Sequence, residues 1–261
     1  MKNDDYSDCR HGLLRLLCEA AHRHTLYDVF RDFCEAGAIS LSNAVDMASR
    51  VKREARYLEI VKKYDAETVK KFPQMLGCLV GELENGSDDV LGRVYMDLEL
   101  ANKDSGQFFT PYSLCQTIAG MQMDDSLKDI VAKNGFVTVN EPACGGGAML
   151  IAFAEAMRAA GLNPQRQMHA VAQDIDPRAV HMTYLQLSLL HIPAVVLCGN
   201  TITMEVTDQW FTPAHVIGGW NWKLKKRDQE QSAPLFAENQ VQTTPAPDVT
   251  LPAGEQIPLF L

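Results

Sequence analysis

One stretch of the chain joins a short β-rich run to an apolar segment through consecutive glycines. Phe136-Val-Thr-Val-Asn140 leads into Glu141-Pro-Ala-Cys-Gly-Gly-Gly147, and a helical pattern begins near Ala148. Three glycines in a row allow a tight turn and let the backbone approach a ligand closely. The helix that follows presents free N–H groups and a partial positive charge. The chain is therefore predicted to fold around a strand, a glycine turn and a helix, as many nucleotide-binding proteins do.

Two further strands follow at regular spacing. Met168–Asp174 and Ala194–Cys198 are β-rich, and Asp176-Pro177 is a good N-cap and N1 pair for a helix that runs to about His191. This alternation predicts an α/β fold with a doubly wound, mainly parallel sheet. Asp174 ends the second strand, where an acid can accept hydrogen bonds from ribose hydroxyls, so an adenosine-containing ligand is predicted.

The composition and periodicity of the sequence change twice along the chain. Residues 1–105 show helical periodicity and predict an α-helical N-terminal domain of about five helices. Residues 106–227 form the predicted α/β domain. Residues 228–261 contain no Lys or Arg, are rich in Gln, Pro and Thr with little periodicity, and are predicted to be a disordered tail.

Composition narrows the class of protein. The 261 residues are 46% hydrophobic and 22% charged, as in ordinary globular proteins. No apolar run approaches the roughly 20 residues of a membrane helix, and residues 1–8 do not resemble a signal peptide, so we expect a cytoplasmic protein without membrane contact. The seven cysteines form no C-x-x-C pair and the histidines lack ligand spacing, so no metal site is predicted. The net charge of -9 argues against avid nonspecific DNA binding but leaves room for a local basic face.

Three motifs together resemble those of a known family. Gly106-Gln-Phe-Phe-Thr-Pro111 is similar to a G-x-[FY]-[FY]-T-P motif, Glu141–Gly147 to a D-P-x-C-G-[ST]-G loop, and Gln173-Asp-Ile-Asp-Pro177 to a ribose-binding motif. All three belong to adenine-N6 DNA methyltransferases of the type found as modification subunits of type I restriction systems. The resemblance covers about residues 88–205 and implies a Rossmann-like methyltransferase fold, S-adenosylmethionine as cofactor and DNA as substrate.

The resemblance also implies which residues contact the cofactor. One group of residues would line the cofactor pocket and a second, around the glycine turn, would hold the methionine part. A third group, at the ends of the second and third strands, would hold the ribose and adenine. These residues are Phe109, Thr110 and Pro111; Glu141, Ala143, Gly145 and Gly147; and Asp174, Ile175 and Asn200. Asn200 stands where the family has an acid, and an amide can still hydrogen-bond an adenine amine.

The sequence departs from the family at the motif that holds the target adenine. Flipped adenines are held by [ND]-P-P-[FY] in this family, and the chain contains no N-P-P. The apolar run beginning at Ala214 resembles the expected fourth strand, and G-G-W-N-W follows it. Asn221 and Trp222 are therefore the candidate catalytic residues, with base stacking, partner binding or a structural role for the tryptophans as the alternative.

Two functional hypotheses follow. The first is an active adenine-N6 DNA methyltransferase with an unusual catalytic loop, working with a specificity subunit or as a homo-oligomer. The second is an accessory or regulatory protein that binds S-adenosylmethionine or DNA without catalysis. In the tail, Gln231–Phe236 and Gln256–Phe260 resemble the Q-x-x-L-F peptides that dock into bacterial sliding clamps, with docking onto the protein's own surface as the alternative.

Overall fold

The computed structural model describes residues 4–86, 88–99 and 109–238. The helices in this part of the chain are α1 Asp4–Ala20, α2 Leu26–Ser42, α3 Arg50–Val61, α4 Ala66–Asn85, α5 Val90–Glu99, α6 Tyr112–Met121, α7 Asp125–Asn134, α8 Ala148–Ala159, α9 Pro164–Gln167, α10 Pro177–Leu189, α11 Pro213–Ile217 and α12 Trp220–Glu238. The strands are β1 Val137–Glu141, β2 Met168–Asp174, β3 Ala194–Asn200 and β4 Glu205–Phe211. None of the described helices combines the length and apolar character that a membrane span requires.

The four described strands form one sheet in the order β1-β2-β3-β4. The first three are parallel and β4 is antiparallel to β3. Helices α8 and α9 connect β1 to β2, and α10 connects β2 to β3. The predicted α/β fold with a mainly parallel sheet, preceded by helices, is confirmed. The parallel strands end together at one edge, where Glu141, Asp174 and Asn200 lie.

The start of α10 illustrates how local sequence defines these elements. Asp176 is the N-cap, its carboxylate accepts a hydrogen bond from the Arg178 N–H at 2.9 Å, and Pro177 occupies the first turn. Proline suits this position because the first N–H groups of a helix have no intrahelical acceptor. The helix therefore begins three residues after Asp174, which fixes the position of that carboxylate relative to the helix.

The fourth strand differs from the prediction. The apolar run at 214–217 is not a strand but belongs to α11, while β4 lies earlier, at Glu205–Phe211. Thr212 and Pro213 explain the helix, because the Thr212 hydroxyl caps its N-terminus and Pro213 favours the first turn. β4 carries mostly polar, exposed residues, which suits an antiparallel strand with one solvated face.

The helices of residues 4–99 share their core with the sheet. Helix α2 packs on α10, and one buried cluster contains Leu17 and Phe33 together with Leu150 and Val196. The described residues up to Trp222 form a single compact unit. The predicted boundary at residue 105 therefore does not separate two cores, because the N-terminal helices bury their apolar faces on the α/β part.

The first part of the predicted disordered tail is helical in the structure. The described residues from Lys223 belong to a second unit, and helix α12 continues through Glu238, past the predicted start of the tail at residue 228. Lys, Arg, Gln and Glu are good helix formers, and Lys226 lies one turn from Glu230, with an Nζ to Oε1 distance of 3.8 Å. A prediction from low apolar content alone misses such a helix. Residues 239–261 lie outside the described part.

A buried histidine makes the stability of the fold depend on pH. His181 in α10 is 8% exposed, and burial lowers its pKa to about 4, against about 6.5 in an unfolded chain. As pH falls, the unfolded state takes up the proton first, so stability that is present above pH 6.5 is lost between about 6.5 and 4. We expect the free energy of unfolding to fall by roughly 2–3 kcal/mol from this group.

Urea unfolding at about pH 7 and pH 4.5 measures the effect of His181. The variant His181→Phe keeps a ring of similar size and is expected to show a correspondingly shallower pH dependence. Burial also lowers the pKa of His215, and its contribution remains in both proteins. Equal slopes for the wild type and the variant would contradict the assignment.

Candidate functional site

The turn between β1 and α8, residues 142–147, is here named the glycine loop. Gly145 and Gly147 have φ angles of 51° and 95°, a left-handed backbone that residues with a side chain rarely adopt. The Cys144 N–H donates to the Gln173 carbonyl at 2.9 Å, which ties the loop to the end of β2. The Thr183 hydroxyl of α10 donates to the Gly145 carbonyl at 2.8 Å. The loop is therefore held from two neighbouring elements.

Asp174 is the residue that organises this edge of the sheet. Its Oδ2 accepts a hydrogen bond from the Gly145 N–H and its Oδ1 accepts one from the Asp176 N–H, both at 2.9 Å. The side chain belongs to a residue that is only 9% exposed. A carboxylate has about four acceptor positions, so these two bonds leave capacity for a ligand hydroxyl.

Phe109 covers the glycine loop from the other side. A Cβ placed on Gly145 would lie 2.9 Å from the Phe109 ring, so only glycine fits beneath that ring. The ring also packs against Tyr95 of α5, with 5.0 Å between centroids. Thr110 is exposed and Pro111 caps α6. Gly106, Gln107 and Phe108 of the same motif lie outside the described residues.

A cavity of about 120 Å³ lies between Phe109 and the loop. Half of the ten cofactor residues predicted from the sequence line it: Phe109, Thr110, Glu141, Ala143 and Gly145. Glu141 is partly buried, and its Oε1 accepts a hydrogen bond from the Ala143 N–H at 3.3 Å. Burial raises the pKa of the Glu141 carboxyl, an effect that the Ala143 hydrogen bond partly opposes.

The remaining predicted residues lie around the same edge. Gly147 caps α8, and Ile175 is 67% exposed beside Asp174. The Asn200 side-chain oxygen accepts from the Ile202 N–H at 2.9 Å, so it shapes the β3–β4 turn. The Thr201 hydroxyl donates to the Pro142 carbonyl at 2.7 Å and brings that turn onto the glycine loop.

Two further residues support the loop and were not identified from the sequence. Asp89, next to the start of α5, and Gln186 of α10 are both buried. The Gln186 amide nitrogen donates to Asp89 Oδ1 at 2.8 Å and to the Gly146 carbonyl at 2.7 Å. Burial raises the pKa of the Asp89 carboxyl. The three-residue spacing of Asp89 and Gly92 could have indicated that Asp89 caps α5, because the Gly92 N–H donates a hydrogen bond to Asp89 Oδ1 at 2.8 Å.

Asn221 and Trp222 do not lie at this edge. Their neighbour Trp220 packs on Phe136, with centroids 5.1 Å apart, and on His169, at 5.2 Å. Phe136 precedes β1 and His169 is the second residue of β2, so this cluster lies at the amino ends of the parallel strands.

The length of the parallel strands sets the distance between this cluster and the glycine loop at their carboxyl ends. Strand β2 has seven residues, and a strand of that length spans about 20 Å. Asn221 Oδ1 instead accepts a hydrogen bond from His215 Nε2, with 3.1 Å between the two atoms. The structure therefore places Asn221 and Trp222 at the opposite ends of the parallel strands from the glycine loop, and their catalytic role stays a prediction that this arrangement does not favour.

Other candidate groups are placed as follows. Burial raises the pKa of the Cys144 thiol to about 12, which makes it a packing residue rather than a nucleophile. Among the described residues there is no group of three His, Cys, Asp or Glu side chains able to hold a metal ion. Of the two predicted clamp-docking segments, Gln231–Phe236 lies in helix α12, where only the backbone is described. The other, Gln256–Phe260, lies outside the described residues.

Residues 86–248, more than half of the chain, match the family model of the N-6 DNA methylases. No curated protein is significantly similar to the chain. Among solved structures, a Listeria monocytogenes protein described as a class I S-adenosylmethionine-dependent methyltransferase aligns with a TM-score of 0.42 and 14% identity. The alignment covers 77% of this chain and 56% of that structure, so the chain spans little more than half the length of that protein.

Proposed function

The chain belongs to the N-6 DNA methylase family, and from this premise we propose that it holds S-adenosylmethionine at the glycine loop for methylation of adenine N6 in DNA. We further propose that a partner protein contributes the residues that hold the adenine. The observation that carries the proposal is the bond between Asp174 and the Gly145 N–H, which joins the ribose-binding position to the glycine loop.

The residues at this edge fit the cofactor. A Cβ on Gly145 would meet the Phe109 ring and one on Gly147 would meet Thr183, so glycine at these positions lets both side chains pack closely on the loop. Glu141 offers a carboxylate to the cofactor's ammonium group, and Asp174 offers acceptor positions to ribose hydroxyls. Ile175 presents an exposed apolar surface that suits the adenine ring. When bound, S-adenosylmethionine supplies a methyl group on a positively charged sulfur.

The chain's own residues bind the cofactor and keep its site ordered. Phe109 excludes water from the glycine loop, and Asp174 keeps the loop and the start of α10 in register through its two backbone hydrogen bonds. Ordering the site before binding lowers the entropic cost of capturing the cofactor.

The acceptor side of the reaction is assigned to a partner. Strand β1 is an edge of the sheet among the described strands, so no described strand lies beyond the glycine loop on that side. Asn221 is engaged with His215 at the amino ends of the strands. A specificity subunit or a second copy of the chain would complete the site.

Methylation of host DNA tests the proposal. The content of N6-methyladenine is measured by mass spectrometry in cells carrying the wild type, Asp174→Ala, or Asn221→Ala combined with Trp222→Ala. We expect Asp174→Ala to abolish the methylation that depends on this protein and the double variant to preserve it. Unchanged methylation in Asp174→Ala cells, with the protein present at wild-type level, would contradict the enzymatic role.

The position of Asn221 and Trp222 favours a second candidate, an accessory protein that binds S-adenosylmethionine without supporting catalysis. It predicts cofactor binding that Asp174→Ala abolishes, together with DNA methylation that does not respond to this variant. The same pair of measurements therefore separates the two candidates.

Glu141 makes cofactor binding sensitive to acid. Its carboxyl must be ionised to attract the ammonium group, and burial raises its pKa, so protonation begins at a higher pH than for an exposed glutamate. We expect the affinity for S-adenosylmethionine to fall as the pH is lowered from neutral, beginning above the usual glutamate pKa of about 4.3, in a range where an α-amino group stays charged. Glu141→Gln should bind about tenfold more weakly at pH 6.5 and lose this pH dependence.

Calorimetric titration across this pH range measures both effects. Glu67→Gln, which replaces an exposed glutamate of α4, is the matched control and should behave as the wild type. A Glu141→Gln variant with unchanged affinity would remove Glu141 from the site.

A further inference from the structure

A second cavity, of about 340 Å³, lies among α2, α3, α10, β3 and β4. It shares no lining residue with the cavity at the glycine loop. Its walls include Glu35, Lys52, Arg53, His181, Cys198 and Trp210. This volume falls within the range of about 300–1,000 Å³ that small-molecule sites occupy. The cavity is therefore large enough for a ligand of its own.

Two polar side chains of this cavity make no hydrogen bond within the described residues, and the indole nitrogen of one of them is fully buried. Trp210 is 3% exposed, and its indole Nε1 lacks an acceptor in the described structure. His181 is 8% exposed and contacts the Trp210 ring edge-on, with 5.0 Å between centroids. Its ring nitrogens make no hydrogen bond within the described residues. Buried polar groups are normally satisfied, so these two favour a ligand that supplies the partners.

The chemistry of these groups defines the complement. The indole N–H is a donor, and a neutral imidazole offers one donor and one acceptor. Burial keeps His181 neutral at physiological pH. Ile39 and Val180 add apolar side chains to the wall, and the Arg53 guanidinium lies over the Trp210 ring, with its carbon 3.8 Å from the ring centroid. A planar nitrogen heterocycle, which has acceptors and donors on its edge and apolar faces, meets these requirements.

The charges around the cavity leave one cation available. Arg56 is paired with Glu35 through two contacts of 2.6 and 2.8 Å. Arg53 is paired with Asp46 at 2.8 Å and lies 3.9 Å from Asp208, which also lines the cavity. Lys52 is exposed and has no ion-pair partner within the described residues. A phosphate or similar anion on the ligand would be attracted to Lys52 at the rim.

We propose that this cavity binds a nucleotide, with its base against Trp210 and His181 and its phosphate near Lys52. The site is separate from the proposed cofactor site and adds a second ligand to the protein. The same chemistry is offered by a free mononucleotide and by one nucleotide of a DNA strand.

Equilibrium dialysis with the four deoxynucleoside 5′-monophosphates tests the site on the full chain. We expect at least one to bind with a stoichiometry of one. His181→Phe, which removes the hydrogen-bonding atoms and keeps the ring, should weaken binding about tenfold. Lys52→Gln should weaken binding of the nucleotide about threefold and leave binding of the matching nucleoside unchanged. Lys62→Gln, at the exposed end of the same helix, is the matched control.

Asp174→Ala separates this site from the proposed cofactor site. We expect nucleotide binding to persist in Asp174→Ala and under saturating S-adenosylmethionine. A short single-stranded oligonucleotide that competes with the mononucleotide identifies the source as DNA, and one that does not compete identifies a free nucleotide. The proposal is overturned if no monophosphate binds the folded wild type, or if Asp174→Ala abolishes binding while Lys52→Gln and His181→Phe preserve it.

Discussion

Replacing Asp174 by Ala is expected to weaken binding of S-adenosylmethionine by about 100-fold or more. The substitution removes an acceptor proposed to hold ribose hydroxyls, and it also frees the Gly145 and Asp176 N–H groups that the carboxylate holds at 2.9 Å. Hydrogen bonds to a charged group are each worth about 1.5–3 kcal/mol, so losing two to the ligand gives this magnitude. Calorimetric titration of both proteins measures the ratio.

Asp125→Ala is the matched control for this titration, because the Asp125 side chain is 95% exposed in α7. It should bind as tightly as the wild type. Circular dichroism establishes that Asp174→Ala is folded. An affinity within threefold of the wild type would contradict the role assigned to Asp174.

Replacing Gln186 by Leu is expected to lower the free energy of unfolding by about 4 kcal/mol. Gln186 is fully buried, and its side chain serves Asp89 Oδ1, the Gly146 carbonyl and the Leu91 N–H. Leucine leaves the Gly146 carbonyl and the Leu91 N–H without this partner, while Asp89 Oδ1 keeps its hydrogen bond from the Gly92 N–H. Each buried unsatisfied group costs about 1–3 kcal/mol, so the loss of two partners gives this magnitude. Urea unfolding followed by circular dichroism measures the loss.

Gln165→Leu provides the comparison for this variant. Gln165 is exposed and makes one side-chain bond, from its amide to the Leu190 carbonyl at 3.3 Å. We expect it to change the free energy of unfolding by less than about 1 kcal/mol. A Gln186→Leu variant as stable as Gln165→Leu would show that the Asp89–Gln186–Gly146 network does not support the glycine loop.

The α/β part was largely predictable because its signals are local. Met168–Asp174 is a strand with the predicted bounds, and Asp176-Pro177 starts α10 as expected, since capping depends on adjacent residues. The fourth strand was not predictable, because β4 is mostly polar and the apolar residues after it belong to helix α11. Pairing partners and strand direction depend on contacts that the sequence pattern does not contain.

The candidate site was predictable to a similar extent. The residues of the glycine loop and Asp174 are close in the fold because the ends of parallel strands meet at one edge. Asp89 and Gln186 are almost a hundred positions apart in the chain and meet only when the helices pack. The position of Asn221 was not predictable for the same reason as β4, since a motif is useful only in its structural context.

Hydrogen exchange with and without saturating S-adenosylmethionine tests most directly where the cofactor binds. Amides that become less accessible exchange more slowly, and the effect is resolved along the chain. We predict slower exchange at residues 141–149 and 174–177 on addition of the cofactor, and no change at residues 213–222. Protection centred on residues 213–222, or none anywhere in the folded protein, would contradict the account.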